Sequence, residues 1–248
     1  MLSKKPTTVL DDDMFIVSYP RSGNTWVRFL IGTLYFNLKI DWKNIEEYVQ
    51  DIYHHDDSQL LKFKSPRLLK SHSSYDKRYN KVIYIVRDVR DVVISYYYWH
   101  LKMSNYQNTF DEFFYEFIAG KCPFQDWDKN VTSWIKNKNK VENGFLLLRY
   151  EDLKHNTFEQ LKNIADFLSI QRDGAELNSA ITWASFENMR RLETEQQSEV
   201  KRFKNSDHYI PFIRQGKSGN WQNILSDIQK QIIKERFGDL LYELGYEI

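Results

Sequence analysis

The stretch from Met14 to Trp26 constrains the possible folds of this chain more than any other. Met14-Phe15-Ile16-Val17-Ser18 is a short apolar run without polar alternation, as in a parallel strand covered on both faces. It breaks into Tyr19-Pro20-Arg21-Ser22-Gly23-Asn24-Thr25-Trp26, and a helical pattern follows: Trp26, Val27, Leu30, Ile31, Leu34 and Leu38 share one broad face. A tight strand-to-helix turn aims unpaired backbone N–H groups and the positive helix end outward. Gly23 permits close backbone approach, Ser22 and Thr25 add hydroxyl donors, and Arg21 adds a permanent charge. The turn reads as a cradle for a phosphate or phosphosulfate; the plainer alternative is an ordinary capped helix start. It is not the loop of a nucleoside triphosphatase, because it lacks the Gly-Lys-Thr element and the hydroxyl placement that holds Mg²⁺.

Similar apolar runs recur at Val82–Val86 and Gly144–Leu148, and a fourth strand is expected over Arg67–Lys70. Phe158, Leu161, Ile164, Ala165 and Leu168 form another helical face, and the segments 110–135 and 224–246 read as largely helical. Strands alternating with helices predict a doubly wound α/β fold, a central parallel sheet flanked by helices. With 9 Gly, 5 Pro, no repeat and no low-complexity tract, nothing marks a boundary, so residues 1–248 are expected to form a single domain.

A net charge of +1 argues against the broad basic face of a nucleic-acid binder, yet leaves room for a small anion site built from a few arginines. At 16%, the aromatic content exceeds what a core requires, so some rings are expected to line a ligand pocket. The one cysteine, Cys122, cannot form an internal disulfide and reads as an incidental thiol, in keeping with a reducing compartment. Lys4 and Lys5 precede no apolar signal region, and no apolar run approaches the ~20 residues of a membrane span, so a cytoplasmic location is expected.

Arg87-Asp88-Val89-Arg90-Asp91 follows the second strand. Arg87 stands at its carboxyl end, where open α/β sheets bind ligands. It can fork onto a phosphate, with Ser95 two turns on adding a hydroxyl; equally, Arg87 or Arg90 can pair with Asp88 or Asp91 in a surface turn. In Pro66-Arg67-Leu68-Leu69-Lys70-Ser71-His72, a histidine at the end of a strand can face a cleft, where a pKa near ~6.5 suits proton removal, though a lone histidine is more often structural. His54 and His55 lack the further spaced ligands of a tetrahedral metal site, so no metal is expected.

These motifs together resemble the sulfotransferases that use 3′-phosphoadenosine 5′-phosphosulfate (PAPS). Seven of eight positions in residues 19–26 agree with that family's phosphosulfate loop, with Arg21 in place of lysine, and the match is therefore specific. Arg87 and Ser95 fall on the family's 3′-phosphate motif, and Lys70 and His72 on its Pro-Arg-Leu-x-Lys-Thr/Ser-His motif, whose histidine is the catalytic base. The aromatics of residues 110–127 resemble the acceptor-side segment. Tyr150 and the Ser185-Phe186 pair match residues near the adenine. Arg214-Gln215-Gly216 matches the loop that closes over the 3′-phosphate. The departures are Arg21 for lysine, Gln215 for lysine, Ala184 for threonine and Asn220 for aspartate; the dimer motif of animal cytosolic members is not evident, which leaves the oligomeric state open.

The resemblance implies transfer of a sulfuryl group to a hydroxyl or amine of a small molecule. His72, Arg21 and Lys70 would be the catalytic residues. Arg21, Ser22, Gly23, Asn24, Thr25, Trp26, Arg87, Ser95, Tyr150, Ser185, Phe186, Arg214, Gln215 and Gly216 would bind the donor and its product 3′-phosphoadenosine 5′-phosphate (PAP). The competing readings are a nucleotide-dependent phosphoryl transferase and an inactive nucleotide-binding protein of the same fold. Neither nucleic acid nor membrane is expected as a partner.

Overall fold

The computed structural model describes residues 8–248; the expectation drawn from Lys4 and Lys5 lies outside the described residues. Five strands form one sheet: β1 (Met14–Ser18), β2 (Val49–Asp51), β3 (Leu68–Ser71), β4 (Lys81–Val86) and β5 (Phe145–Arg149). Their spatial order is β2-β3-β1-β4-β5, and every pairing is parallel. The helices in chain order are α1 (Asn24–Phe36), α2 (Ile45–Tyr48), α3 (Asp57–Leu60), α4 (Val89–Ser104), α5 (Phe110–Ile118), α6 (Trp127–Asn137), α7 (Tyr150–His155), α8 (Thr157–Phe167), α9 (Gly174–Trp183), α10 (Phe186–Gln196), α11 (Trp221–Ile224) and α12 (Asp227–Glu243).

Strand side chains alternate between two cores. Met14, Ile16, Leu68, Ile83 and Ile85 pack with α1, α8 and α9, while Phe15, Val17, Leu69, Val82, Tyr84 and Val86 pack with α4, α5, α6 and α12. Both faces of the inner strands are therefore covered, as their unbroken apolar runs imply. Strand β5 departs from that expectation. It is an edge strand, and Leu147 is 38% exposed. Leu38 also departs: α1 ends at Phe36 with Asn37 in a left-handed conformation, which turns Leu38 out to 45% exposure. Strand β2, only three residues long, has no periodic signature in the sequence.

The chain leaves β1 toward β3 and β2, and leaves β4 in the opposite direction toward β5. The loops after β1 and β4 therefore diverge and open a crevice at the carboxyl edge of the sheet. The register of β1 on β3 is locked at its start by Asp13, which accepts a two-pronged ion pair from Arg67; both side chains have 0% exposure. Removing one partner strands a buried charge, so Asp13→Ala should lose about 3–5 kcal/mol of stability. Urea denaturation reads this directly, and an unmoved midpoint would contradict it.

Candidate active site

One cavity of about 550 Å³ opens at that crevice. Pro20, Arg21, Gly23, Asn24, Thr25 and Trp26 line it from the loop after β1, and Lys70 and His72 line it from the end of β3. Arg87 and Ser95 enter from the end of β4 and from α4. Tyr150, Ala184, Ser185 and Phe186 enter from the side of β5, and Phe212, Arg214, Gln215 and Gly216 from the loop before α11. Segments remote in the chain, from Pro20 to Lys217, thus meet at one surface, and the two anion motifs share it.

The first loop is shaped by two left-handed residues, Arg21 at φ 68° and Gly23 at φ 100°. Gly23 tolerates this conformation because it has no Cβ; one built there would stand 2.5 Å from the Tyr150 ring. No side chain caps the start of α1, so its first N–H groups are available to an anion at the positive helix end. Asn24 is buried and donates to Ile16 O (3.1 Å) and Ser18 Oγ (3.3 Å), tying the helix start to β1. Ser22 is fully buried, its hydroxyl has no partner, and it is not among the residues that line the cavity.

Arg21 and Arg87 lie side by side: Arg87 Nη1 donates to Arg21 O at 3.2 Å. Arg21 donates through Nε to Ser95 Oγ (3.2 Å) and sits 4.5 Å over the Phe212 ring. Ser95 Oγ therefore accepts from Arg21. Burial, reinforced by the positive charges of Arg87 and Arg202, lowers the Arg21 pKa, yet it remains a cation at neutral pH. Arg87 donates its second prong to Lys217 O (3.0 Å), lies 4.3 Å over Tyr150, and keeps a buried Nε without a partner. The two arginines of the second motif are placed differently. Arg90 makes the ion pair with Asp88 (2.7 Å), while Arg87 turns into the cavity.

The loop 212–221 is held over Arg87 by acidic anchors. Asp91 accepts from the Gly219 and Trp221 N–H groups (2.7 and 3.3 Å), and Glu193 accepts from those of Phe212 and Ile213 (2.6 and 2.9 Å). Arg214 packs 4.4 Å over Tyr98. Gly216 is left-handed at φ 57°, and a Cβ there would stand 2.5 Å from the Phe186 ring. Ser185 spends its hydroxyl as the cap of α10, accepting from Asn188 N–H (3.3 Å). Two departures from the family pattern are partners, since Asn220 Nδ2 donates to Gln215 Oε1 at 2.9 Å.

His72 is held at both ends. Its backbone N–H donates to Tyr53 Oη (2.8 Å), and its Nδ1 lies 2.7 Å from Ser18 O. A carbonyl only accepts, so Nδ1 carries the proton and Nε2 keeps a lone pair. Burial, together with the charges of Lys70 and Arg21, holds the imidazole pKa well below its ordinary value. Lys70 donates to Asp51 Oδ2 (2.9 Å), and burial lowers it to about 8 against the opposing pull of Asp51.

Asp51, Tyr53, Arg28 and Arg202 also line the cavity, and sequence reasoning passed over all four. Asp51 lies on the short strand β2, and the others have no local motif. Glu46, Asp51 and His54 bring three possible metal-ligating atoms within 4.8 Å of one another. Glu46 is already paired with Arg28 (2.9 Å) and Asp51 with Lys70, so their negative charge is spent on protein cations. Burial beside Glu116 and Asp126 pushes the Cys122 thiol up to about 12, which leaves it un-ionised at neutral pH. No helix among the described residues is long and apolar enough to cross a membrane.

Comparison with known proteins agrees with this geometry. The chain is 31% identical over 245 residues to sulfotransferase 1 family member D1 of Mus musculus, covering 91% of this chain and 82% of that protein. It is 28% identical over 251 residues to sulfotransferase 1E1 of Rattus norvegicus, with the same coverage. Among solved structures, mouse sulfotransferase SULT7A1 complexed with PAP superposes with a TM-score of 0.75 at 25% identity, over 95% of this chain and 89% of that one. Retinol dehydratase in complex with androsterone and PAP shares the fold at a TM-score of 0.82 and 18% identity, over 97% and 83%. The family model described as "Sulfotransferase domain" matches residues 11–245, from just before β1 to just beyond α12. By sequence, by fold and by the cavity at the edge of its sheet, this chain belongs to the sulfotransferase domain family.

Proposed function

We propose that the chain, acting as one domain, moves a sulfuryl group from PAPS to a hydroxyl or amine of a small-molecule acceptor, with His72 as general base. The observation that carries this reading is the shared cavity: Arg21 and Arg87 stand in hydrogen-bond contact beside a histidine whose Nε2 bears a free lone pair. The residues fit a nucleotide with a phosphate at each of two ends. Arg87 has an orphaned buried Nε, no side chain occupies the N–H groups at the start of α1, and Tyr150 and Phe186 offer rings to a base.

In this reading Arg87 and Arg214 hold the 3′-phosphate, while the loop 21–26 holds the 5′ end. PAPS supplies the activated sulfuryl group. Arg21 places a fixed positive charge where negative charge develops on the bridging oxygen, assisted by Lys70 and the loop N–H groups. His72 accepts the acceptor's proton at Nε2, while the Ser18 carbonyl holds Nδ1–H and so sets the ring's orientation. Asp51 orients Lys70, and Tyr53 fixes the His72 backbone. The cationic side chains supply the charge stabilisation that a loose transfer requires.

Titration calorimetry with PAP and with ATP plus Mg²⁺, followed by radiolabelled PAPS with an acceptor panel, tests this reading. PAP should bind without Mg²⁺ and more tightly than ATP. Preference for Mg-ATP would support a phosphoryl transferase, and PAP binding without turnover on any acceptor would support an inactive nucleotide-binding protein.

The pH dependence has a definite sign. His72 must be neutral to accept a proton, and its lowered pKa keeps it so through neutral pH. Lys70 must be charged to assist, and it loses its proton near about 8. We expect kcat/KM to be flat across neutral pH and to fall on the alkaline side as pH passes about 8. In Lys70→Met that alkaline limb should be displaced, and a limb at the same pH would remove Lys70 from this role.

A further inference from the structure

The cavity wall beside His72 holds an ion cluster whose pairing is incomplete. Arg28 is met by Glu46 and Lys70 by Asp51, both at 2.9 Å. A third cation, Arg202, enters the same cavity from the 3₁₀ turn Lys201–Phe203. Its Nη2 stands 3.8 Å from Asp51 Oδ2, too far for a hydrogen bond, and its Nη1 is buried with no hydrogen-bond partner. Asp51 already accepts from Lys70 at Oδ2 and from the Tyr53 N–H at Oδ1 (3.1 Å), and no hydrogen bond joins it to Arg202. His54 faces the same two carboxylates, at 3.6 Å from Glu46 and 3.9 Å from Asp51, and can only add positive charge. Two arginines and a lysine therefore face two carboxylates.

Arg202 shares the Phe212 ring with Arg21, near the proposed sulfuryl end, and none of its described contacts is with the residues around Arg87. Its nearest described partners are Asp51 and the Phe212 ring, 5.5 Å from Cζ, whereas Arg87 lies against Tyr150 and Lys217. The adjoining wall is aromatic. Tyr53 stacks beside His72 with centroids 6.1 Å apart and rings 16° from parallel, and it meets Phe124 at 5.0 Å. Burying a guanidinium without a matching anion is costly, and a guanidinium's planar fork matches a carboxylate.

We propose that the acceptor carries a carboxylate, which Arg202 binds while the hydroxyl or amine to be sulfated lies at His72. This names the substrate class of the site described above and rests on that reading of the cavity. A neutral acceptor can use the aromatic wall alone. An acidic one also gains charge-assisted hydrogen bonds, which are worth about 1.5–3 kcal/mol, or on the order of 10–100-fold in affinity.

The test uses pairs of hydroxy- or amino-acids and their methyl esters: 3-(4-hydroxyphenyl)propionate, an aliphatic hydroxy acid and an aminobenzoate. Affinity for the PAP-saturated protein is measured by calorimetry, and kcat/KM with PAPS as donor. In the wild type, acid should exceed ester by on the order of 10-fold or more in at least one pair. Arg202→Gln should bring that ratio to about one, and Arg202→Lys should retain part of it. A ratio near one across all pairs in the wild type overturns the proposal. So does a preference that survives in Arg202→Gln, including the case in which acid and ester weaken together because Arg202 serves the sulfuryl end. Because the readout is a ratio within one protein, general destabilisation cannot imitate it. If PAP itself fails to bind, the sulfotransfer reading fails, and acid-against-ester binding to the protein alone still decides the role of Arg202.

Discussion

His72→Ala is expected to lower kcat by about 10²–10⁴-fold while PAP affinity stays within about threefold of wild type. The separation follows from the geometry. The imidazole hydrogen-bonds to Ser18 O, and its backbone to Tyr53, whereas the groups proposed to hold the nucleotide are Arg87, Arg214 and the loop after β1. Removing the ring takes away the proton acceptor and leaves those groups in place. His72→Gln keeps a polar side chain without a base and should be similarly slow. Pre-steady-state rates with labelled PAPS, alongside PAP calorimetry, check both halves. Near-wild-type turnover in His72→Ala would exclude His72 as base, and lost PAP affinity would make it a structural support of the nucleotide site.

Arg21→Ala should damage binding and rate together, with kcat/KM falling by about 10²–10³-fold, the scale of removing one preorganised electrostatic donor. The loss has three sources. The side chain supplies fixed positive charge at the helix start, its Nε holds Ser95 (3.2 Å), and its Nη2 reaches Phe212 O (3.4 Å) in the covering loop. Arg21→Lys separates them. It restores the charge and the residue usual in the family, but a single ammonium cannot make both contacts of the guanidinium fork. We expect Arg21→Lys to recover most of the binding and part of the rate. Equal activity in all three proteins would reassign the loop to structure alone.

Much of this site was legible as short words in the sequence. Arg21, Gly23, Thr25 and Trp26 lie within one turn, and Arg87 and Ser95 two helical turns apart, so the family resemblance that named them could be read from local words. What the words could not state was direction. Ser22 belongs to the loop motif yet its hydroxyl is buried without a partner, while Arg21 and Gly23 on either side line the cavity. The Arg87–Asp91 run allowed an ion-paired turn, which Arg90 makes with Asp88, and did not say which arginine would line the cavity; Arg87 does. Gln215 and Asn220 looked like separate losses but hydrogen-bond to each other. The acidic anchors Asp91 and Glu193 were missed as supports of the covering loop, since each grips backbone more than a hundred or nearly twenty residues away.

By itself the sequence determined the parallel α/β architecture, because unbroken apolar strands alternating with amphipathic helices have few other ways to bury their surfaces. It also determined which residue types stand at the strand ends, where such sheets bind ligands. The tertiary structure alone decided what surrounds them. It brought Asp51 from a three-residue strand onto Lys70 and set Arg202 beside a carboxylate already in use. It also buried the His72 ring deeply enough to keep it neutral. Pairing, burial and the resulting charge balance depend on distances between segments remote in the chain. Such distances exist only once the sheet has assembled.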